Sequence, residues 1–317
     1  MNLFGRGLGI AFAIILLTVG TLGTVATLMG FFGSTWWLFD LIANFRVLLM
    51  LTLLIVGVIY GMVFGRAGAV VFFAAGLINL LVILPLYLGN QPDPTTTTDD
   101  DITITIHNVT ASNQNRTDVF DHLAGTGSDL VFVFESSVDW ERAARLADLP
   151  YDIVAVPDPE RRFGTMVLAQ PGLDVEVEQI FVSNDLDTIA RVTIGDVVVL
   201  AAHPRSPTNS DGSNKRDDLL AALTDLAAAE GEATIVVGDL NATPWSHAVR
   251  SLQDEAELRN SLQGYGLQPT WHADWRLFAI PIDHALMSQD LTTVSRSTGP
   301  ANGSDHLPVT VTISPVG

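Results

Sequence analysis

No cysteine and a single lysine, Lys215, occur among the 317 residues. The first absence excludes disulfide bonds, thiol nucleophiles and cysteine-ligated zinc. Charge of either sign is nearly missing from the first 90 residues, where only Arg6, Asp40, Arg46 and Arg66 carry it. Beyond Asn90 stand 34 of the 35 acidic residues but only 13 of the 16 basic ones, a net charge of −21. Such a surface repels polyanions and lacks the Lys/Arg density that displaces counterions from nucleic acid. It suits a small or membrane-borne substrate, or a high-salt habitat. The chain is longer than one average domain, and the uneven charge divides it into two units of different character.

Three apolar runs fill the first unit, residues 1–90: Leu8 to Phe32, Phe45 to Phe64 and Ala67 to Leu88. Each is long enough for a helix to cross a hydrocarbon core of about 30 Å. The first is longer than the apolar region of a signal peptide, lacks a cleavage site and is followed by two more spans. Trp36, Trp37 and Phe39 are placed as interfacial aromatics would be. No polar face recurs at helical spacing, which argues against three buried helices of a soluble protein. Arg6 and Arg66 fall on one side and Arg46 on the other. The positive-inside rule then puts the N-terminus in the cytoplasm. Three crossings make a multi-pass plasma-membrane protein with its large unit outside the cytoplasm.

Residues 91–101, with their prolines, threonines and acid run, read as an extended, solvated tether. After it the pattern changes to short strands. Ile102–His107 alternates strictly, as a half-buried strand does, and Leu130–Phe134 is continuously apolar, as a central strand is. Further strands are expected at 151–156, 165–169, 175–182, 189–194, 197–202, 234–237, 282–287 and 307–313. Helices are expected at 116–123, 137–147, 216–229 and 245–252. Gly195-Asp196 marks a two-residue hairpin. Hairpins mixed with helical crossovers imply mixed sheets, two of them packed face to face with helices outside, over residues 102–317.

Polar residues gather at the strand ends: Asn108, Glu135, His203, Asp239 with Asn241, Asp283, and Asp305 with His306. Carboxylate and amide oxygens from Glu135, Asn108 and the aspartates suit a hard cation such as Mg²⁺. Phosphoester hydrolysis needs an aligned water, an acceptor for its proton, and donors to the phosphoryl oxygens. Asp239 fits the base, Asn241 the phosphoryl donor, and an imidazole beside a carboxylate stays cationic. The pairs expected are Asp305 with His306 and Asp283 with His203. Singly, each residue has an ordinary role: Asp239-Leu240-Asn241 makes a turn or helix cap, and Glu135 a solvated carboxylate. The set and its order carry the argument.

The succession Ile106-His107-Asn108-Val109, Phe134-Glu135, Ala202-His203-Pro204-Arg205, Val237-Gly238-Asp239-Leu240-Asn241, Ile282-Asp283-His284 and Gly303-Ser304-Asp305-His306 resembles the endonuclease/exonuclease/phosphatase superfamily. The likeness spans about Ile102 to Ile313. The Gly-Asp-Leu-Asn and Ser-Asp-His boxes are specific; the Asn108 and Glu135 boxes are weak alone. The resemblance implies a four-layer α/β sandwich and a Mg²⁺ (or Mn²⁺) site centred on Glu135 with Asn108 nearby. It further implies Asp239 aligning the nucleophilic water, Asn241 binding phosphate, His306 stabilising the transition state with Asp305 beside it, and a His203–Asp283 pair at the scissile group. Phe134 stands where many members have Gln, and Pro204-Arg205 follows His203 where Leu is commoner. Arg205 is either a further phosphate contact or one half of a loop salt bridge.

Three N-terminal spans joined to such a domain also resemble a bacterial membrane subgroup that includes glycopeptide-resistance proteins acting on undecaprenyl pyrophosphate outside the cell. That resemblance makes a lipid-linked phosphate or pyrophosphate the expected substrate and the bilayer a partner. The alternatives are an extracytoplasmic nuclease or phosphodiesterase and a non-catalytic binding domain; the acidic surface disfavours nucleic acid. Trp271, Trp275, Leu277 and Phe278 form either core and loop packing, the commoner role of such a cluster, or an apolar lip toward acyl or prenyl chains.

Overall fold

The computed structural model describes residues 3–89, 91–94, 100–158, 164–182, 187–231 and 233–317. The chain divides into two compact units, Met1–Tyr87 with Trp245–His247, and Leu88–Pro244 with Ala248–Gly317.

In the first unit, α1 (Leu3–Met29), α3 (Arg46–Phe64) and α4 (Arg66–Ile83) are each long and apolar enough to cross a membrane, with α2 (Trp37–Ala43) between the first two. Ile14, Ile15, Ile55, Val70 and Val71 are exposed, while Leu16, Leu53, Val56, Phe72 and Ala75 pack together inside. Gly20 makes room where α1 meets α4: a Cβ there would lie 2.4 Å from the Phe72 ring, which would have to shift. Polar groups are kept within the bundle. Arg46 Nη1 donates to Asn79 Oδ1 at 3.1 Å, and Asn79 Nδ2 donates to Thr27 Oγ1 at 2.8 Å. Arg46, counted in the sequence as the charge on the side opposite Arg6 and Arg66, is 1% exposed. The third run was expected as one helix to Leu88. It ends instead at Ile83 and resumes as the short α5 (Pro85–Leu88), because Pro85 has no N–H to donate to a preceding carbonyl.

The second unit is an α/β sandwich of two mixed six-stranded sheets. One has the order β11-β12-β1-β2-β4-β3 and the other β5-β6-β7-β8-β10-β9. The first six strands are β1 (Ile102–Asn108), β2 (Leu130–Ser136), β3 (Asp152–Ala155), β4 (Gly164–Ala169), β5 (Val175–Val182) and β6 (Asp187–Ile194). The rest are β7 (Val197–Ala202), β8 (Thr234–Asp239), β9 (Arg259–Asn260), β10 (Asp283–Met287), β11 (Leu291–Thr298) and β12 (Val309–Pro315). Each sheet has one parallel pair, β1–β2 and β7–β8. A helix joins each pair, α6 (Arg116–Ala124) and α8 (Ser210–Glu230).

Alternation sets the layers. Leu130, Phe132 and Phe134 of β2 face Ile235 and Val237 of β8 in the inner core. Val131 and Val133 turn outward onto α6 and α7 (Val138–Leu146), and Val236 onto α8 and α9 (His247–Glu255). The result is helix, sheet, sheet, helix, the expected four-layer arrangement.

Boundaries differ locally. The helix expected from 216 begins at Ser210, because Asn209 caps it by accepting from Gly212 N at 2.9 Å. β11 was not anticipated: its Thr/Ser/Arg-rich stretch lacks an apolar period. The tether is not wholly solvated. Gln91 Nε2 donates to Asn260 O at 3.1 Å and Gln263 O at 3.0 Å, Thr292 Oγ1 donates to Pro92 O at 2.7 Å, and Pro94 forms a bridge with Val316. The tether's residues 95–99 lie outside the described residues.

Candidate active site

The polar strand ends converge where β1, β2, β7 and β8 finish and β10 begins. β8 delivers Asp239 because Gly238 lets the sheet close: a Cβ at Gly238 would sit 1.9 Å from Ala202 O on β7. β10 runs antiparallel to β8 in a register that sets Asp283 directly opposite Asp239. β1 and β2 bring Asn108 and Glu135 from the other sheet.

Two carboxylates from different sheets meet at one atom. Asn108 Nδ2 donates to Asp239 Oδ2 at 2.9 Å and to Glu135 Oε1 at 3.1 Å. Glu135 Oε2 accepts from Ala111 N at 2.9 Å, and Asp239 Oδ1 accepts from Asn241 N at 3.0 Å. His203 Nε2 lies 3.4 Å from Asp239 Oδ2 and 3.9 Å from Glu135 Oε1. Asn241 Nδ2 donates to Pro204 O at 3.0 Å and sits 3.5 Å from His203 Nε2.

His306 closes the other side. Its Nδ1 is 2.9 Å from Asp283 Oδ2 and its Nε2 is 3.6 Å from Asp239 Oδ2. The expected pairings are corrected accordingly. His306 pairs with Asp283 rather than Asp305, and His203 approaches Asp239 and Glu135 rather than Asp283. Asp305 turns instead to Thr110, whose hydroxyl donates to Oδ1, and to Trp271 Nε1 at 3.0 Å from Oδ2.

Burial would lower His306, but the carboxylates of Asp283 and Asp239 override it and raise the imidazole to about 10. Burial likewise opposes ionisation of Asp239, yet His306, His203 and Asn108 hold its carboxyl well below the usual range. His203 is raised: burial lowers it, and Asp239 and Glu135 more than compensate. Burial, with Asp239 adding to it, raises Asp283. At neutral pH the cluster is therefore an ionised Asp239 beside a cationic His306. So acidic a carboxylate orients a water well and stores its proton poorly.

Thr110, Glu135 and Asn241 have φ of 55°, 55° and 52°, which is costly for residues with a Cβ, most of all for β-branched Thr110. Three strained positions on one rim mark a constrained site. Thr110 and Ser304 were not anticipated. Ser304 Oγ donates to Asn108 O at 2.6 Å, and Thr110 Oγ1 lies 2.8 Å from Ser304 Oγ. Only the position of Ser304 inside the Ser-Asp-His box could have signalled it. Arg205 is not drawn into the cluster; its Nε lies 3.6 Å from Asp187 Oδ1.

The donor set fits a hard divalent cation: Glu135 and Asp239 converge on one point, and both present oxygen. Asp239, Asp283 and His306 also offer ligand atoms within 4.8 Å of one another. Asn108 turns its Nδ2 to both carboxylates and its Oδ1 to Thr110 N at 3.0 Å, so the oxygens offered to a cation here are those of Glu135 and Asp239.

Residues 87–306 match the Endonuclease/Exonuclease/phosphatase family. The chain belongs to that family. Its second unit thus carries a hydrolase fold related to phosphoesterases and nucleases. Among solved structures, D. rerio TDP2 complexed with single-strand DNA product superposes with a TM-score of 0.54 at 18% identity, covering 68% of this chain and 100% of that one. The 3′ phosphatase NExo from Neisseria, bound to a product DNA hairpin, gives 0.54 at 20% identity over 66% of this chain and 98% of that one. An endonuclease/exonuclease/phosphatase family protein from Bacteroides thetaiotaomicron gives 0.54 at 15% identity over 70% and 98%. At these identities the likeness is one of fold. Comparison with curated proteins found no match.

Proposed function

We propose that this protein is a membrane-anchored, Mg²⁺-dependent (or Mn²⁺-dependent) phosphoesterase that hydrolyses a lipid-linked phosphate or pyrophosphate at the outer face of the plasma membrane. The observation that carries the catalytic part is the meeting of Asp239 with Asn108, His203 and His306, all within 3.6 Å of one carboxylate oxygen. In this reading Glu135, with Asn108 beside it, holds the cation, which supplies charge neutralisation at the phosphoryl oxygens when bound. Asp239 aligns the attacking water. His306, kept cationic by Asp283, stabilises charge developing on the phosphoryl group, and His203 and Asn241 donate to its oxygens. Asp305, tied to Thr110 and Trp271, fixes the loop that carries His306.

The lipid part rests on the three apolar helices and on a net charge of −21 beyond Asn90 that disfavours polyanions. Anchoring raises the site's effective concentration toward a lipid headgroup. The outward placement rests on the positive-inside count of Arg6 and Arg66. Phosphate release from a polyprenyl pyrophosphate, with Mg²⁺ and with EDTA, tests the assignment. Equal release by the native protein and Asp239→Ala would reject it.

A second reading, a nuclease or phosphodiesterase, is favoured by one observation: two of the superposed structures hold DNA products. Plasmid DNA offered beside the polyprenyl pyrophosphate separates the two; cutting of DNA alone would establish the second.

A further inference from the structure

Of the two readings open for the loop between β9 and β10, packing or an apolar lip, its tip takes the exposed one. Trp275 is 62% exposed, Leu277 66% and Phe278 39%. They sit on and beside a 3₁₀ turn, Arg276–Phe278, with Asp274 and Arg276 also exposed. Among the described residues of the second unit, no other stretch of four displays three large exposed apolar side chains. Exposed clusters of this kind mark a contact surface.

The root of the loop is stapled to the active site. Trp271 Nε1 donates to Asp305 Oδ2 at 3.0 Å, Ala273 N to Asp305 O at 2.8 Å, and Leu307 N to Thr270 O at 2.9 Å. From Trp271 the rings run outward in sequence. Trp271 and His272 have centroids 5.1 Å apart, His272 and Trp275 6.1 Å, and Trp275 and Phe278 6.0 Å. A line of rings, Trp271, the His272 imidazole, Trp275 and Phe278, therefore leads from Asp305 to the exposed tip.

We infer that this track is a tail-binding subsite: it seats the hydrocarbon chain of an amphiphilic phosphoester whose phosphate lies in the cluster of Asp239 and His306. The inference rests on the phosphoesterase reading above and adds the recognition element. The track is rooted on Asp305, one residue before His306, and that root sets the occupant: a molecule whose phosphate lies in the cluster has the rest of its length to place beside it. The chain's own apolar helices supply the setting in which such an amphiphile is the available substrate. Aromatic tracks also stack nucleic-acid bases, but those sites pair stacking with a basic groove, and a unit with one lysine and a net charge of −21 lacks the charge for one.

The test uses the full chain in lipid nanodiscs and two substrates with the same reacting group, ethyl phosphate and decyl phosphate. The variant Trp275→Ser/Leu277→Ser/Phe278→Ser changes exposed positions only, and an unchanged melting temperature checks its fold. It is expected to lose about tenfold or more in kcat/KM on decyl phosphate, with ethyl phosphate within about twofold, the selectivity that a few methylenes confer. Equal loss on both substrates, or on neither, overturns the inference. So does loss of binding to a single-stranded oligonucleotide in the variant, which would make the track a base-stacking surface. Calorimetric binding of decylphosphonate, lost in the variant, reads the tail contact without turnover. Asp239→Asn separates the two ideas: turnover indifferent to it refutes the phosphoesterase reading, whereas turnover abolished by it with an inert lip refutes only the subsite.

Discussion

His306 Nδ1 and Asp283 Oδ2 are 2.9 Å apart, and this contact, rather than one between neighbouring residues in the chain, makes His306 a buried cation. Asp283 is held for the task. It lies opposite Asp239 in the β8–β10 register, its carbonyl accepts from Arg296 Nη2 at 3.1 Å, and its amide donates to Thr270 Oγ1 at 3.4 Å. The relation predicts that Asp283→Asn lowers kcat/KM by about 10²–10⁴, the range of a lost acid–base or orienting group. The sign on the pH axis follows. Asp283 helps hold His306 raised to about 10, so without its charge the imidazole deprotonates at lower pH. The alkaline limb of the pH–kcat/KM profile should move acidward; an unmoved limb would exclude His306 as the group it reports.

His107 and His284 predict how stability depends on pH. Both are fully buried, and burial lowers them to about 3 and about 4. A folded value below the unfolded one means that the unfolded chain takes the proton first. Their contribution is complete above pH 6.5 and is lost as pH falls toward 4 and 3. Each adds a slope of about 1.4 kcal/mol per pH unit in that window. Thermal unfolding between pH 7 and 4 should show His107→Asn with a shallower acid loss than the native chain.

Gly238→Ala tests how Asp239 is delivered. The added Cβ meets Ala202 O on the neighbouring strand, so β7 and β8 must part. A loss of about 3 kcal/mol in unfolding free energy is expected, the upper range for overpacking, together with loss of hydrolysis. A variant as stable as the native chain would show that the strands are not held at this approach.

Arg205→Ala is predicted to change little. With its guanidinium near Asp187 and partly exposed, it is the loop-salt-bridge reading that the geometry supports. A change in kcat/KM of less than about threefold is expected; a hundredfold loss would restore it as a phosphate ligand, whose charge-assisted hydrogen bonds are worth that much.

Much of the site was legible because strand-end chemistry is local. Gly238-Asp239 and Ser304-Asp305-His306 announce themselves as turns that break apolar strands, and β1, β2 and β8 follow from alternation or unbroken apolar runs. The pairings were not legible. Whether His306 meets Asp283 or Asp305 depends on how the loop before β12 of one sheet lies against the start of β10 in the other, which no spacing within either segment encodes. Thr110 was invisible for the same reason: its partners Ser304 and Asp305 lie 194 and 195 residues away. For Trp275, Leu277 and Phe278 the sequence left packing and an exposed lip both open, because an apolar cluster ordinarily packs inward; exposure of the three side chains decides for the lip. β11 escaped because its buried residues include Thr292, Thr293 and Arg296, polar types whose burial depends on partners elsewhere.

The central claim is metal-dependent phosphoester hydrolysis at the cluster built around Asp239. Its most direct test is phosphate release from a polyprenyl pyrophosphate by the full-length protein, measured with Mg²⁺, with EDTA, and with Asp239→Ala. Release that needs Mg²⁺ and falls by at least about 10³ in the variant is the predicted result. Release that is unchanged by EDTA and equal in the variant would contradict it.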